Sequence, residues 1–273
     1  MILAALALLL AQDASAAVQP RTIAEDRLSV CLDRARTDPT TAIVEASNWA
    51  AQVTGPDASH PHQCLGLAYT VLLRWEAAER AFLTAREVAG ATEHFRRAQL
   101  ATMAGNAALA DERPADALAA LALAADDAAA AGDNGLRALV EVDRARAQVM
   151  QGNEAEAEAT LAAARALDAQ SPFAWLLSAT LARRLDKLGE AQSFIETAAA
   201  LSPDYPEIGL EAGVIAMMAG RREAAEASWR SVIALDPNSD AATSAREYLA
   251  QVAAIAAEQP AASSEQAEEP PAP

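Results

Sequence analysis

The chain has 273 residues, of which 52% are hydrophobic but only 4% aromatic, and a formal net charge of −17. A phosphate-binding surface needs clustered basic residues to offset such repulsion, and here they are scattered, so a nucleic-acid partner is excluded. Roughly a quarter of the residues are alanine, the best helix former and small enough to let helices approach closely, so an all-α fold is expected.

Residues 1–17, MILAALALLLAQDASAA, carry an apolar run from Ile2 to Ala11. The run is too short to cross a bilayer as a helix. It suits the apolar core of a signal peptide, and Ala14-Ser15-Ala16 offers a cleavage site that places the cut near Ala16 or Ala17. No Lys or Arg precedes the run, so either the α-amino group is its only charge or the start codon lies upstream. The competing reading is a buried apolar helix. Export, to a periplasmic address, is expected. No other segment reaches membrane-spanning length without charges, so no integral membrane segment is expected in the mature chain.

Residues 22–53 read as a helix pair broken at Asp38-Pro39, with Ala42, Ala46 and Trp49 on one face of the second helix. Then a short pattern recurs: alanine, three residues, a large apolar residue, two residues, a small one. It appears as Ala78, Phe82, Ala85; Ala117, Leu121, Ala124; Ala157, Leu161, Ala164; Ala191, Ile195, Ala198; and Ala225, Trp229, Val232. The leading alanines are 39, 40, 34 and 34 residues apart. Positions i, i+4 and i+7 share one helix face, where small residues leave room for a neighbouring helix and the large one fills the gap. About ten residues before each leading alanine lies another apolar helix, with Gly66 and Tyr69, Gly105 or Gly213 as its markers. Turn signals stand at Gly152-Asn153 and Gly220, and Pro203 and Pro237 close two copies.

This pattern resembles the tetratricopeptide repeat, a 34-residue helix–turn–helix unit. Leu65-Gly66-x2-Tyr69 with Ala78, Phe82 and Ala85 matches it best, and the copy over residues 205–236 matches with Gly213, Ala225, Trp229 and then Pro237. Trp175 fits the tryptophan of the copy that ends at Pro203. The copies near 96–131 and 134–170 are longer, and Ala104 and Arg144 replace the usual leucine, so either their loops are longer or their helices run an extra turn. The resemblance covers residues 22–257. It implies a right-handed superhelix, an α-solenoid of about six helix–turn–helix pairs plus a C-terminal capping helix over residues 239–257. Residues 258–273 combine proline, alanine and acid with no large apolar residue, and are expected to be disordered.

Within this register the pentapeptide HPHQC at residues 60–64 can be placed. Pro61 falls in the first turn of a helix, His60 precedes that helix near its cap, and Cys64 lies on it. His62 and Cys64 then point about 200° apart, so no metal site is expected from this motif. Cys31 lies 33 residues before Cys64, close to one repeat. The family's equivalent helices are neighbours, which implies a Cys31–Cys64 disulfide in an exported chain. The alternative is two buried free thiols.

No nucleophile elbow, phosphate loop or dinucleotide fingerprint appears, so neither an enzyme nor a cofactor is expected. In the family the first helix of each pair lines a concave groove for a peptide or partner helix. Carried over repeat by repeat, that groove receives Gln99, Thr102 and Asn106, then Arg146 and Met150, then Phe173, Thr180 and Arg183, then Leu210, Val214 and Met217. Arg146 and Arg183, with Asn106, would take an acidic segment or a terminal carboxylate. The alternative is that these arginines pair with neighbouring acids such as Glu141 or Asp186. The expected role is a protein–protein interaction scaffold of the cell envelope. Its rivals are a self-associating structural protein, hence a homo-oligomer, and a carrier of hydrophobic peptide or lipid on Phe173, Leu210, Val214 and Met217.

Overall fold

The computed structural model describes residues 22–258. The expected signal peptide, and the expected disordered tail from residue 259 onward, lie outside the described residues. The described residues form thirteen α-helices and no strand. The first pair is α1 (Ile23–Thr37) and α2 (Pro39–Ala50), and the second is α3 (Ser59–Val71) and α4 (Trp75–Val88). Next come α5 (His94–Ala110) with α6 (Pro114–Ala131), and α7 (Asn134–Met150) with α8 (Glu154–Leu167). The last pairs are α9 (Pro172–Arg184) with α10 (Leu188–Leu201) and α11 (Pro206–Met218) with α12 (Arg222–Leu235), followed by the single helix α13 (Asp240–Glu258). The two longer copies are explained by helix length: α5, α6 and α7 have 17, 18 and 17 residues, whereas α3, α4 and α9 to α12 have 13 or 14.

Each pair from α3–α4 onward is set by one contact. A small residue on the first helix faces the large residue sixteen positions later on the second: Gly66 and Phe82, Gly105 and Leu121, Ala145 and Leu161, Ala179 and Ile195, Gly213 and Trp229. A methyl group at Gly66 would overlap the Phe82 ring, one at Gly213 would overlap the Trp229 indole, and one at Gly105 would lie 2.6 Å from Leu121 Cγ. Alanine suffices where the large residue is Leu161 or Ile195, and both pairs are fully buried. The flanking alanines of each stripe, from Ala78 and Ala85 to Ala191 and Ala198, are 0% exposed.

The turns inside these pairs share one geometry. Leu73, Glu112, Gly152, Asp186 and Gly220 all have positive φ, between 53° and 78°. The next N–H in each case donates to the carbonyl five residues back, as in Arg74 to Tyr69, Arg113 to Ala108 and Lys187 to Ala182, at 2.8–2.9 Å. That is a Schellman-type helix end, which prefers glycine at the left-handed position. Ionic and polar contacts then cross from three of these turns to the preceding second helix. Arg113 donates to Glu79, Lys187 to Glu158 and Arg221 to Gln192, and each acceptor directly follows a leading alanine. A buried carboxylate, Asp127 on α6, takes both Arg86 of α4 at 2.6 Å and Arg97 of α5 at 3.2 Å.

The N-terminal pair is tied on covalently. Cys31 of α1 and Cys64 of α3 form a disulfide, with Cα atoms 6.0 Å apart and both residues buried. Closing a loop of 33 residues stabilises the fold by roughly 3–4 kcal/mol on the chain-entropy estimate. Beside it, Arg27 lies over the Trp49 ring and Trp49 stacks on His60. The histidines of HPHQC belong to this joint. α3 begins at Ser59, so His60 lies within the first turn rather than before it, and its Nδ1 is 3.1 Å from the Asp57 carbonyl. Among the described residues no three His, Cys, Asp or Glu side chains are grouped to hold a metal.

Both the turns and the buried histidines can be tested by unfolding. Leu73→Gly, Glu112→Gly and Asp186→Gly should each stabilise the array by about 0.5–1 kcal/mol, read as a higher urea midpoint, because a non-glycine residue is strained at positive φ and these side chains are exposed. Gly152→Ala should lower it. Burial holds both His60, where the Arg96 charge adds to it, and His62 below the ordinary histidine pKa. The unfolded chain therefore binds more protons once the pH falls through about 6.5, and stability is lost on going from pH 7.5 to 5.5. Urea midpoints at the two pH values should show that loss, and a His60→Gln/His62→Gln variant should show less of it.

Candidate functional site

Successive first helices pack on one another: α1 on α3, α5 on α7, α7 on α9, α9 on α11, and α11 on α13. The second helices make at most marginal contact among themselves, so the first helices form the inner wall. Between α3 and α5 the link is made by side chains, with Arg96 donating to Ser59 Oγ and Gln63 Oε1. On this wall lie Phe95 and Met103 of α5, Leu139 and Met150 of α7, Phe173 of α9 and Met218 of α11, each between 38% and 48% exposed. Every exposed Phe and Met among the described residues is on a first helix.

The residues chosen from sequence have different surroundings. Gln99 and Phe173 are exposed, and the Phe173 ring meets Tyr205 edge-on at 5.2 Å. Asn106, Asp143 and Arg146 form a chain across α5 and α7. Asp143 accepts from Asn106 Nδ2 and from Arg146 Nη1, both at 2.9 Å, while the Arg146 side chain stays about half exposed at 51%. Thr180 is half-buried, and its hydroxyl donates to the Leu176 carbonyl. Arg183 is fully engaged, gripping Glu211 of α11 through Nε at 2.6 Å and Nη2 at 3.3 Å. The acids that hold the two arginines are thus Asp143 and Glu211, not Glu141, which Arg144 takes, nor Asp186.

One assignment is corrected. Thr102 is buried, with its hydroxyl bonded to the Ala98 carbonyl at 2.8 Å, and the exposed residue is the next one, Met103. Leu210, Val214 and Met217 are half-buried against the core that α11 and α12 share with α13, and Met218 beside them is exposed. The terminal helix packs on α11 in the place of a further first helix.

A cleft of about 190 Å³ opens between α7 and α9. Its floor is apolar, with Val149, Leu161, Leu177 and Leu181; Met150 and Thr180 stand on its walls, and Arg146 and Arg184 at its rim. Arg184 is the less committed cation, with its nearest carboxylate, Glu154, 4.0 Å away. Leu177 and Arg184 escaped the sequence reading, although they continue the Phe173 and Thr180 face at spacings of four. The arrangement can take one apolar side chain with a carboxylate beside it.

No protein-family model matches the chain, and no curated protein matches it by sequence. Solved structures do match. PilW, a widely conserved type IV pilus biogenesis factor, superposes with a TM-score of 0.63 at 18% identity, covering 82% of this chain and 99% of its own. PilF of Pseudomonas aeruginosa gives 0.60 at 16% identity over 84% and 97%. A thermophilic TPR protein of Thermus thermophilus gives 0.54 at 18% identity over 70% and 99%. The chain therefore has the fold of the tetratricopeptide-repeat proteins, as six helix pairs and a terminal helix.

Proposed function

We propose that the chain is a non-enzymatic scaffold that holds a segment of a partner protein along the wall formed by α5, α7, α9 and α11. One observation carries this reading: the exposed Phe and Met side chains, Phe95, Met103, Met150, Phe173 and Met218, all lie on first helices, and Met150 among them lines an apolar cleft between α7 and α9. Methionine adapts its shape and suits a surface that accepts another chain. The charge of −17 repels nucleic acid.

The setting we propose is the cell envelope. An apolar leader-like run at residues 2–11 and the Cys31–Cys64 disulfide suit an exported chain. Among the described residues no helix is long and apolar enough to cross a membrane. PilW, which has the same fold, is a type IV pilus biogenesis factor, and that likeness supports the reading.

A photo-cross-linking residue placed at Met150 or Phe173 should give an adduct with one and the same partner in envelope extracts. The same residue at Ala122 or Ala159, exposed on α6 and α8, should give none. Met150→Glu should weaken binding of that partner at least about tenfold, as expected for an anchor in an apolar cleft. Adducts only from Ala122 or Ala159 would move the site to the outer face. Adducts only with a second copy of the chain would replace the scaffold by self-association.

A further inference from the structure

The position after the third residue of the stripe is arginine twice: Arg86 after Ala85 and Arg165 after Ala164. The two arginines have different surroundings. Arg86 is neutralised by Asp127, which stands ten residues after Ala117 on the next second helix. Ten residues after Ala191, the corresponding place for Arg165 is Leu201. Accordingly Arg165 has no carboxylate within ion-pair distance among the described residues. Its Nη1 donates to Ser178 Oγ, and its guanidinium is held over the rings of Phe194, 4.4 Å away, and Trp175, 5.2 Å away. Burial lowers its pKa, and the longer-range attraction of Glu158 and Glu190 only partly offsets that desolvation.

A cleft of about 190 Å³ adjoins this guanidinium between α8, α9 and α10. That is room for on the order of six waters, or one small residue. Leu161, Leu181 and Phe194 line it, together with Glu158 and Glu190. Lys187 takes Glu158, whereas Glu190 makes no direct hydrogen bond or ion pair among the described residues and acts on Arg165 and Lys187 only at longer range. A plain anion would meet both acids, so an anion alone is a poor fit. A guest that brings a carboxylate for Arg165, an ammonium for Glu190 and an apolar side chain satisfies every wall. We propose that this cleft, which lies on the far side of Leu161 and Leu181 from the cleft between α7 and α9, binds a free α-amino acid with an apolar side chain. The proposal does not rest on the scaffold reading.

Calorimetric titration of the full chain with leucine tests it, with N-acetylleucine and leucinamide as analogues that lack one charge each. Leucine should bind at one saturable site, and both analogues at least about tenfold more weakly. Arg165→Lys, which keeps the charge but loses the guanidinium fork, should weaken leucine about tenfold or more. Glu190→Gln, at an exposed position that does not threaten the fold, should weaken leucine but leave N-acetylleucine unchanged. No binding at millimolar leucine, or equal affinity in both variants, would overturn the proposal.

Discussion

The small-to-large contact sixteen residues apart is the constraint on which this molecule depends. It fixes how closely the two helices of a pair approach, because glycine or alanine on one side leaves the space that Phe82, Leu121, Leu161, Ile195 or Trp229 fills on the other. Once that approach is set, the chain must reverse within a few residues, and the left-handed turn residue does this at the same offset in every such pair. The order of dependence is visible in the side chains. Gly66 and Gly213 oppose the two aromatic residues, where no methyl can be tolerated. At the turns three of five positions are not glycine, since a strained turn costs about 1 kcal/mol whereas an overfilled core costs more.

The fold was legible in the sequence because this constraint is written as spacing. Stripes of small and large residues, proline after a helix and the cysteine interval carry over to the structure: the Cys31–Cys64 bond is present and six pairs are formed. The inner wall was less legible. Thr102 is buried and its neighbour Met103 exposed, while Met217 is half-buried and its neighbour Met218 exposed. One position on a helix is a turn of about 100°, enough to exchange core for surface. The extra turn in α5 and α7 shifts that phase without changing the stripe on the second helices. Nor does spacing within one helix reveal the partners of Arg183 or Asn106, because Glu211 and Asp143 come from the next repeat.

Charge has a particular distribution here. The chain is acidic overall, yet much of its basic complement is used between repeats, in the Arg86–Asp127–Arg97 cluster, Arg113 with Glu79, Lys187 with Glu158, and Arg183 with Glu211. Such pairs add little net stability after desolvation, but they penalise a slipped register, in which a charge would be left unpaired. Apolar stripes therefore hold the helices together, and ions keep successive repeats in phase. The cations so used are not free to attract phosphate. The inner wall then offers chiefly apolar side chains with Arg146 and Arg184 at one rim, a surface better suited to a protein segment than to a strongly charged ligand.

The most direct test of this account is hydrogen exchange, followed by mass spectrometry, on Gly213→Ala. Each repeat touches only its neighbours, so a methyl forced against Trp229 should raise exchange in α11, α12 and α13 and leave α3 to α8 unchanged. Exchange raised evenly along the whole array, or not at all, would contradict the claim that a single small-to-large contact sets each pair.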